Sequence, residues 1–264
     1  MKYVQFLSIE IGRACNYAKL HEGYCPSIDC DRYGNLDTTS EITNDEILDV
    51  VRQSYKMGFN GFIAFHYYNE PMLFIDRIEI VIQNVKNEFE NAKFCLWTNG
   101  SKIDENLDKM KLFDSIYITQ YVKNKQFNYV RNYMKDSAKI VTLSGNLDNR
   151  RKNFKINNNL DQCVKPFNEL IIDIYGNAHM CCMDWKGEIE LGNIKKNDFV
   201  NIHEKFFKIR EQLITNPISD NSPSICKKCM SKTPTLNFIN GDEKVMLDSK
   251  EYIEKHKIKI SKKI

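Results

Sequence analysis

The sequence predicts an α/β protein: a mostly parallel sheet, doubly wound or curved into a barrel, followed by a smaller cysteine-bearing region. Three observations carry this. Over the first 150 residues, short apolar runs alternate with stretches of helical period. Beyond that point the alternation stops, and NELIIDIYGNAHMCC reads as a hairpin turning at Gly176–Asn177. Nine cysteines in a chain of 264 residues exceed what packing alone asks for, and most fall into two groups.

The elements follow in order. VQFLSIE (4–10) is the first strand, and a long cysteine-bearing loop follows it. A helix over 45–57 is capped by Thr43 or Asn44 and stops at Gly58, with Ile47, Val50, Val51 and Tyr55 on one face. GFIAFHYY (61–68) is the second strand, and alternation there puts His66 and Tyr68 on one face. Ile75, Ile78, Ile82, Val85 and Phe89 mark the next helix. Strand KFCLW (93–97), the turn Thr98–Asn99–Gly100, a helix over 104–113, strand SIYITQ (115–120), a helix over 125–135 and strand KIVTL (139–143) complete the run. Strands joined through helices imply right-handed crossovers and a parallel sheet. Later come a helix over 199–214, the pair Cys226-Lys-Lys-Cys229 and a basic tail that reads as a solvated terminus.

Composition narrows the function. An apolar fraction of 42% with 28% charged residues marks a globular chain, and a net charge of +3 signals neither nucleic acid nor membrane. No run reaches the roughly 20 apolar residues of a membrane span. Charge arrives at Glu10 and Arg13, where a signal peptide would be apolar, so the expected location is the cytoplasm. There is neither a G-x-G-x-x-G fingerprint nor a Walker A loop.

In a reducing compartment grouped cysteines bind metal more readily than they form disulfides. Cys15, Cys25 and Cys30 lie in the loop after the first strand; Cys163, Cys181, Cys226 and Cys229 lie in the second half. Cys95 reads as core, and alternation would let only one of Cys181 and Cys182 be a ligand. Three thiols leave a metal position open and four close it. On spacing alone, zinc and iron–sulfur fit the second group equally.

The ordered set of a Cys-rich loop after strand one, Phe65-His66-Tyr67-Tyr68-Asn69-Glu70-Pro71, Thr98-Asn99-Gly100, Thr119-Gln120, Asn149-Arg150, Gly192-Asn193-Ile194 and Cys226-x-x-Cys229 resembles the radical S-adenosylmethionine (SAM) enzymes. The C-terminal cysteines resemble the SPASM/Twitch subgroup, and within it the branch that oxidises an aminocyclitol hydroxyl in antibiotic biosynthesis. The resemblance spans roughly residues 4–235. It implies a partial (β/α)6 TIM-type barrel over 1–155, a Twitch auxiliary-cluster domain (β-hairpin plus helix) over 156–240, and a basic segment over 241–264. It also implies two [4Fe–4S] clusters, one binding SAM at its open iron and one auxiliary. Counting from Cys163, the hairpin ligand of the subgroup falls on Cys181, which leaves Cys182 outside the ligand set.

The first group departs from the subgroup's C-x3-C-x2-C. Here the pattern is Cys15-x9-Cys25-x4-Cys30. Either these three cysteines bind the first cluster from a re-looped segment, or His21 or Glu22 takes a position, or the site is degenerate; thiolates, the usual iron–sulfur ligands, favour the three cysteines. By position the resemblance assigns Glu70 to the SAM amino group, with Asn69 and Pro71 beside it and Asn69 in place of a Gly. It assigns Tyr24 to the adenine, Thr98, Asn99 and Gln120 to SAM, and Arg150 to SAM or substrate as the catalytic candidate.

The function so implied is a SAM-dependent radical oxidoreductase. It would oxidise an alcohol carbon of a sugar-like or cyclitol small molecule, fed electrons by a donor such as flavodoxin or ferredoxin. A peptide-modifying radical enzyme and an epimerase using Cys182 or Cys95 as hydrogen-atom donor are the alternatives within the superfamily. A zinc-stabilised α/β binding module is the non-enzyme alternative.

Overall fold

In the computed structural model the described residues are 1, 4–16, 41–120, 138–142, 163, 169–184, 186–215, 220–227, 229, 235–237, 254 and 259–261. Six parallel strands form one wall: β1 (Phe6–Ile9), β2 (Phe62–Ala64), β3 (Lys93–Thr98), β4 (Ser115–Gln120), β5 (Ala138–Thr142) and β6 (Glu169–Ile172). Their order is β5-β4-β3-β2-β1-β6, with the short β7 (Ala178–His179) antiparallel on β6. From β1 to β5 each strand lies one step further along the sheet. With right-handed crossovers this places the connecting helices on a single face, the wall of a barrel rather than a doubly wound sheet. β5 and β7 are the edges, so among the described residues the barrel is open.

Side-chain alternation sorts the core. Leu7, Ile9, Ile63, Phe65, Phe94, Leu96, Ile116 and Ile118 face the helices. Against them pack α1 (Asn44–Lys56), through Ile47, Val50 and Val51, and α2 (Ile75–Glu88), through Ile78, Val81, Ile82 and Val85. A capping box opens α1: the Glu46 N–H donates to Thr43 Oγ1 (3.2 Å) and the Thr43 N–H to Glu46 Oε2 (2.7 Å). Tyr55 and Phe89 stack between the helices at 4.4 Å. Phe6, Phe62, Ala64, Cys95, Trp97 and Tyr117 cover the opposite, concave face, with Cys95 fully buried as expected of a core residue.

Several local expectations change. Strand β2 stops at Ala64, and the chain bends over Tyr67–Asn69 instead of continuing the strand. The expected helix over 104–113 is instead two 3-10 turns across Asp104–Leu112, interrupted at the non-helical Asn106. Asn106 and the charged residues around it bury only Met110, too little to hold an α-helix. The hairpin is not a separate layer: β6 pairs in parallel with β1 from Phe6↔Glu169 to Ile9↔Ile172, so the sheet runs past residue 155. The turn itself is as expected. Gly176 has φ +85 and its N–H donates to the Asp173 carbonyl (2.8 Å). In the basic tail, β9 (Lys259–Ser261) pairs in parallel with β8 (Thr235–Asn237). The alternating Lys257-Ile258-Lys259-Ile260 was a strand signal inside a segment read as solvated. The expected helix over 125–135 lies outside the described residues.

Candidate functional site: strand-end network and four-thiol group

The ends of β1, β2 and β3 meet in one hydrogen-bonded network. Glu70 lies at its centre, buried at 2% exposure rather than in an exposed loop. Its Oε1 accepts from the Met72 N–H (3.1 Å) and the Thr98 hydroxyl, and its Oε2 from the Asn99 N–H (2.7 Å). Its own N–H donates to the Ala14 carbonyl (2.9 Å), which brings the residue before Cys15 against it. Asn99 Nδ2 donates to Asn16 Oδ1 (2.9 Å), and Asn16 Nδ2 donates to Ser101 Oγ (2.8 Å). The loop carrying Cys15 is therefore tied to the Thr98-Asn99-Gly100 turn through its next residue. Gly12 permits the approach: a Cβ there would come within 2.4 Å of the Phe74 ring. Burial pushes the Glu70 carboxyl up to about 7, and the three donors hold it from rising further.

Asn69 folds back on its own bend. Its Oδ1 accepts from the Tyr67 N–H (3.0 Å) and its Nδ2 donates to the Phe65 carbonyl (3.2 Å). Pro71 opens a 3-10 turn that Glu70 caps. Gln120 ends β4. Tyr24, Cys25, Cys30, His21, Glu22 and Arg150 lie outside the described residues.

Deeper on the concave side, Ser8 is fully buried and its Oγ has no hydrogen-bond partner among the described residues. His66 Nδ1 is shielded and unpartnered too, beside the Trp97 ring at 5.4 Å. Burial lowers the His66 pKa to about 4, so the ring is neutral at pH 7. Glu10, at the end of β1, accepts from the Tyr68 N–H (3.3 Å) and the Ile174 N–H (3.1 Å), linking the ends of β1, β2 and β6. Glu10 carried a sequence signal, an acid between Ile9 and Ile11 in an apolar run, as did Ser101 beside the Thr98-Asn99-Gly100 turn.

The second-half cysteines come together. Burial raises the Cys181 thiol well above its ordinary value, and Cys182, Cys163, Glu169 and Cys229 add to it. Cys226 is pushed up by burial and by Cys163 and Cys229. The elements explain the gathering. The Cys163 N–H donates to the Leu213 carbonyl (3.0 Å) at the end of α3 (Phe199–Thr215). Cys226 lies on α4 (Ser224–Lys227), and the Cys229 N–H donates to the Cys226 carbonyl (3.2 Å). Cys181 follows β7. All are thiols rather than disulfides. Cys181 and Cys182 diverge, though not by strand alternation, since β7 ends at His179: Cys182 packs instead on Tyr67, Tyr68 and Ile171. Neighbouring buried thiols cannot ionise together without a countercharge, which iron supplies. Among the described residues no group of three or more His, Cys, Asp or Glu side chains is spaced to hold a single metal ion. The group fits an iron–sulfur cluster.

The comparisons with known proteins bear on this arrangement. The SPASM family, an iron–sulfur cluster-binding domain, matches residues 163–230, the span of the four thiols. The S-adenosyl-L-methionine-dependent 2-deoxy-scyllo-inosamine dehydrogenase of Niallia circulans is 24% identical over 247 residues, covering 86% of this chain and 93% of the relative. The chain thus resembles a SAM-dependent dehydrogenase over most of its length and carries the SPASM match across its second cysteine group. Its fold is that of two solved structures of BtrN. An open conformation has a TM-score of 0.61 and 21% identity, over 86% of this chain and 92% of that one. A complex with AdoMet and 2-DOIA has a TM-score of 0.60 and 22% identity, over 80% and 87%. A family described as myo-inositol-1-phosphate synthase also matches, over residues 28–166. Among the described residues of that span the strands run β2-β3-β4-β5 in sequential order, without a switch point, and the sequence holds no G-x-G-x-x-G turn at which a dinucleotide would bind. Among the described residues no helix is long and apolar enough to cross a membrane.

Proposed function

We propose that this chain is a radical SAM dehydrogenase that oxidises a secondary alcohol of a cyclitol or related polyhydroxylated small molecule to a ketone. The observation that carries the reading is the pairing of two centres on one sheet: the network of Ala14, Asn16, Glu70, Thr98, Asn99 and Ser101 at the strand ends, and the four-thiol group beside β6 and β7. The resemblance to a 2-deoxy-scyllo-inosamine dehydrogenase over most of both chains supports the substrate class.

When bound, a SAM-ligated cluster would supply radical hydrogen-abstraction chemistry, and an auxiliary cluster would supply a one-electron acceptor for the oxidation of the alcohol carbon. The protein positions and shields. Cys15, Cys25 and Cys30 would hold the first cluster, and Cys163, Cys181, Cys226 and Cys229 the second. Glu70 would receive the SAM ammonium at its buried carboxylate, with Asn69, Pro71, Thr98, Asn99, Gln120 and Tyr24 shaping the remaining contacts. Arg150 is the catalytic candidate that would contact SAM or substrate, where its always-charged guanidinium can clamp a carboxylate or donate to a substrate oxygen. Ser8 Oγ and His66 Nδ1, buried without partners among the described residues, suit a ligand that brings hydroxyls of its own. A small-molecule substrate, a flavodoxin- or ferredoxin-type electron donor and a cytoplasmic setting complete the reading.

The test is anaerobic reconstitution followed by reduction and addition of SAM with 2-deoxy-scyllo-inosamine. The expected protein is brown, holds about eight irons per chain, and forms ketone in step with 5′-deoxyadenosine. Colourless, zinc-bearing protein that forms no nucleoside overturns the reading.

A further inference from the structure

We propose that Tyr67 and Tyr68 are positioning residues that fix the auxiliary-cluster turn against the strand-end site. The inference rests on the radical dehydrogenase reading. Both phenols spend their hydroxyls on main-chain carbonyls of one turn, the turn that leaves Cys181. Tyr67 donates to the Asp184 carbonyl (3.0 Å), and Tyr68 donates to the Cys182 carbonyl. These contacts span more than a hundred residues of sequence, and their rings lie against each other at 4.1 Å. At their other ends the same residues are held by the candidate SAM site. The Tyr67 N–H donates to Asn69 Oδ1 (3.0 Å), the Tyr68 N–H donates to Glu10 Oε1 (3.3 Å), and Glu70 follows two residues on.

The turn is gripped from two further sides. Glu169 Oε1 accepts from the Cys182 N–H (2.7 Å), and the Asp184 carboxylate accepts from the N–H groups of Glu188 (2.7 Å) and Ile189 (3.1 Å). A tyrosine ring has two rotatable bonds, so two hydroxyl-anchored rings make a stiff strut at small entropic cost. Second contacts of this kind orient a ligand turn and tune the metal it holds. Electron transfer from the oxidised carbon needs the auxiliary cluster at a fixed place and potential, and the strut sets both through the Cys181–Asp184 backbone.

Phenylalanine keeps the rings and their packing and removes only the donors, so Tyr67→Phe, Tyr68→Phe and the double variant separate strut from filler. We expect all three to load both clusters and to cleave SAM at the parental rate. The auxiliary cluster's midpoint potential and electron-resonance signature should shift, while those of the SAM-binding cluster stay fixed. Ketone formed per 5′-deoxyadenosine should fall about tenfold in the double variant, within the cost of a displacement of ~1 Å. If the double variant fails to load iron, the two single variants carry the same measurement. Unchanged potential and unchanged coupling in variants of an active parent overturn this inference alone. A parent that forms no 5′-deoxyadenosine removes the dehydrogenase reading and this inference with it.

Discussion

At the ends of β1, β2 and β3, side chains of three loops satisfy one another: a buried carboxylate takes two N–H groups and a hydroxyl, and two asparagines bridge the gap between loops. Beside β6 and β7 the opposite holds. Four thiols arrive from separated points of the chain, after β7, on α4 and next to α3, and burial and mutual repulsion make their ionised forms costly. The first region is assembled by protein contacts and is ready for a ligand. In the second, burial and neighbouring thiols disfavour the ionised form, and the group is completed by what it binds. Preorganisation and metal-coupled folding are two solutions to the same positioning problem.

Iron removal should separate the two most sharply. Chelated protein, or a Cys226→Ser, Cys229→Ser double variant, should lose amide protection around Cys163 and over Ser224–Lys227, because metal binding energy is folding energy where ligands repel without it. Protection of the Glu70–Met72 and Thr98–Ser101 backbone should persist. Hydrogen exchange followed peptide by peptide reads both at once, and equal loss in the two regions breaks the contrast.

Next in size is Glu70→Ala. It strips an acceptor from the Met72 and Asn99 N–H groups and the Thr98 hydroxyl, each costing roughly 1–3 kcal/mol when left unsatisfied in the interior. The expected outcome is a markedly lower melting temperature even without cofactor, together with loss of SAM binding by calorimetry. A variant that melts like the parent would mean the network is not self-supporting. Glu70→Gln tests the charge alone. Folding raises this carboxyl's pKa from 4.5 to about 7, so the group favours the folded state while protonated, below about 4.5, and that contribution drains as pH rises through about 7. An ammonium ligand prefers the ionised form, so SAM affinity should climb across the same interval and then level off. In Glu70→Gln the climb should disappear from binding curves taken between pH 5.5 and 8.

How legible these regions were in the sequence differs for the same physical reason. The sheet, the helix starts and the hairpin turn follow from local rules: period, the Thr43 cap, and Gly176 at positive φ. Cys163, Cys181, Cys226 and Cys229 stood out because cysteine is rare and its chemistry narrow. Tyr67, Asn16 and Glu169 did not, since tyrosine, asparagine and glutamate are common and their meaning comes only from partners far along the chain: Asp184 for Tyr67, Ser101 for Asn16, Cys182 for Glu169. The bend after Ala64 was invisible to alternation because His66, Tyr67 and Tyr68 suit a strand as well as a loop, and tertiary contacts decide between them.

The smallest effect sharpens the comparison most finely. Asn16 accepts from Asn99 Nδ2 and donates to Ser101 Oγ, so it is the clasp between the Cys15 loop and the β3 turn. Both contacts are neutral and half-buried, and Asn16→Ala should cost only about 1 kcal/mol. Because the clasp joins two loops rather than filling the core, that cost should appear as a several-fold rise in the SAM dissociation constant with little change in melting temperature. The auxiliary cluster's spectrum should not move at all, since the hydrogen bonds of Asn16 among the described residues run to Asn99 and Ser101, away from the β6–β7 side. A change there would mean that the strand-end network and the thiol group are coupled through more than the bend at Tyr67 and Tyr68, and that the two regions are one mechanical unit rather than two joined by a strut.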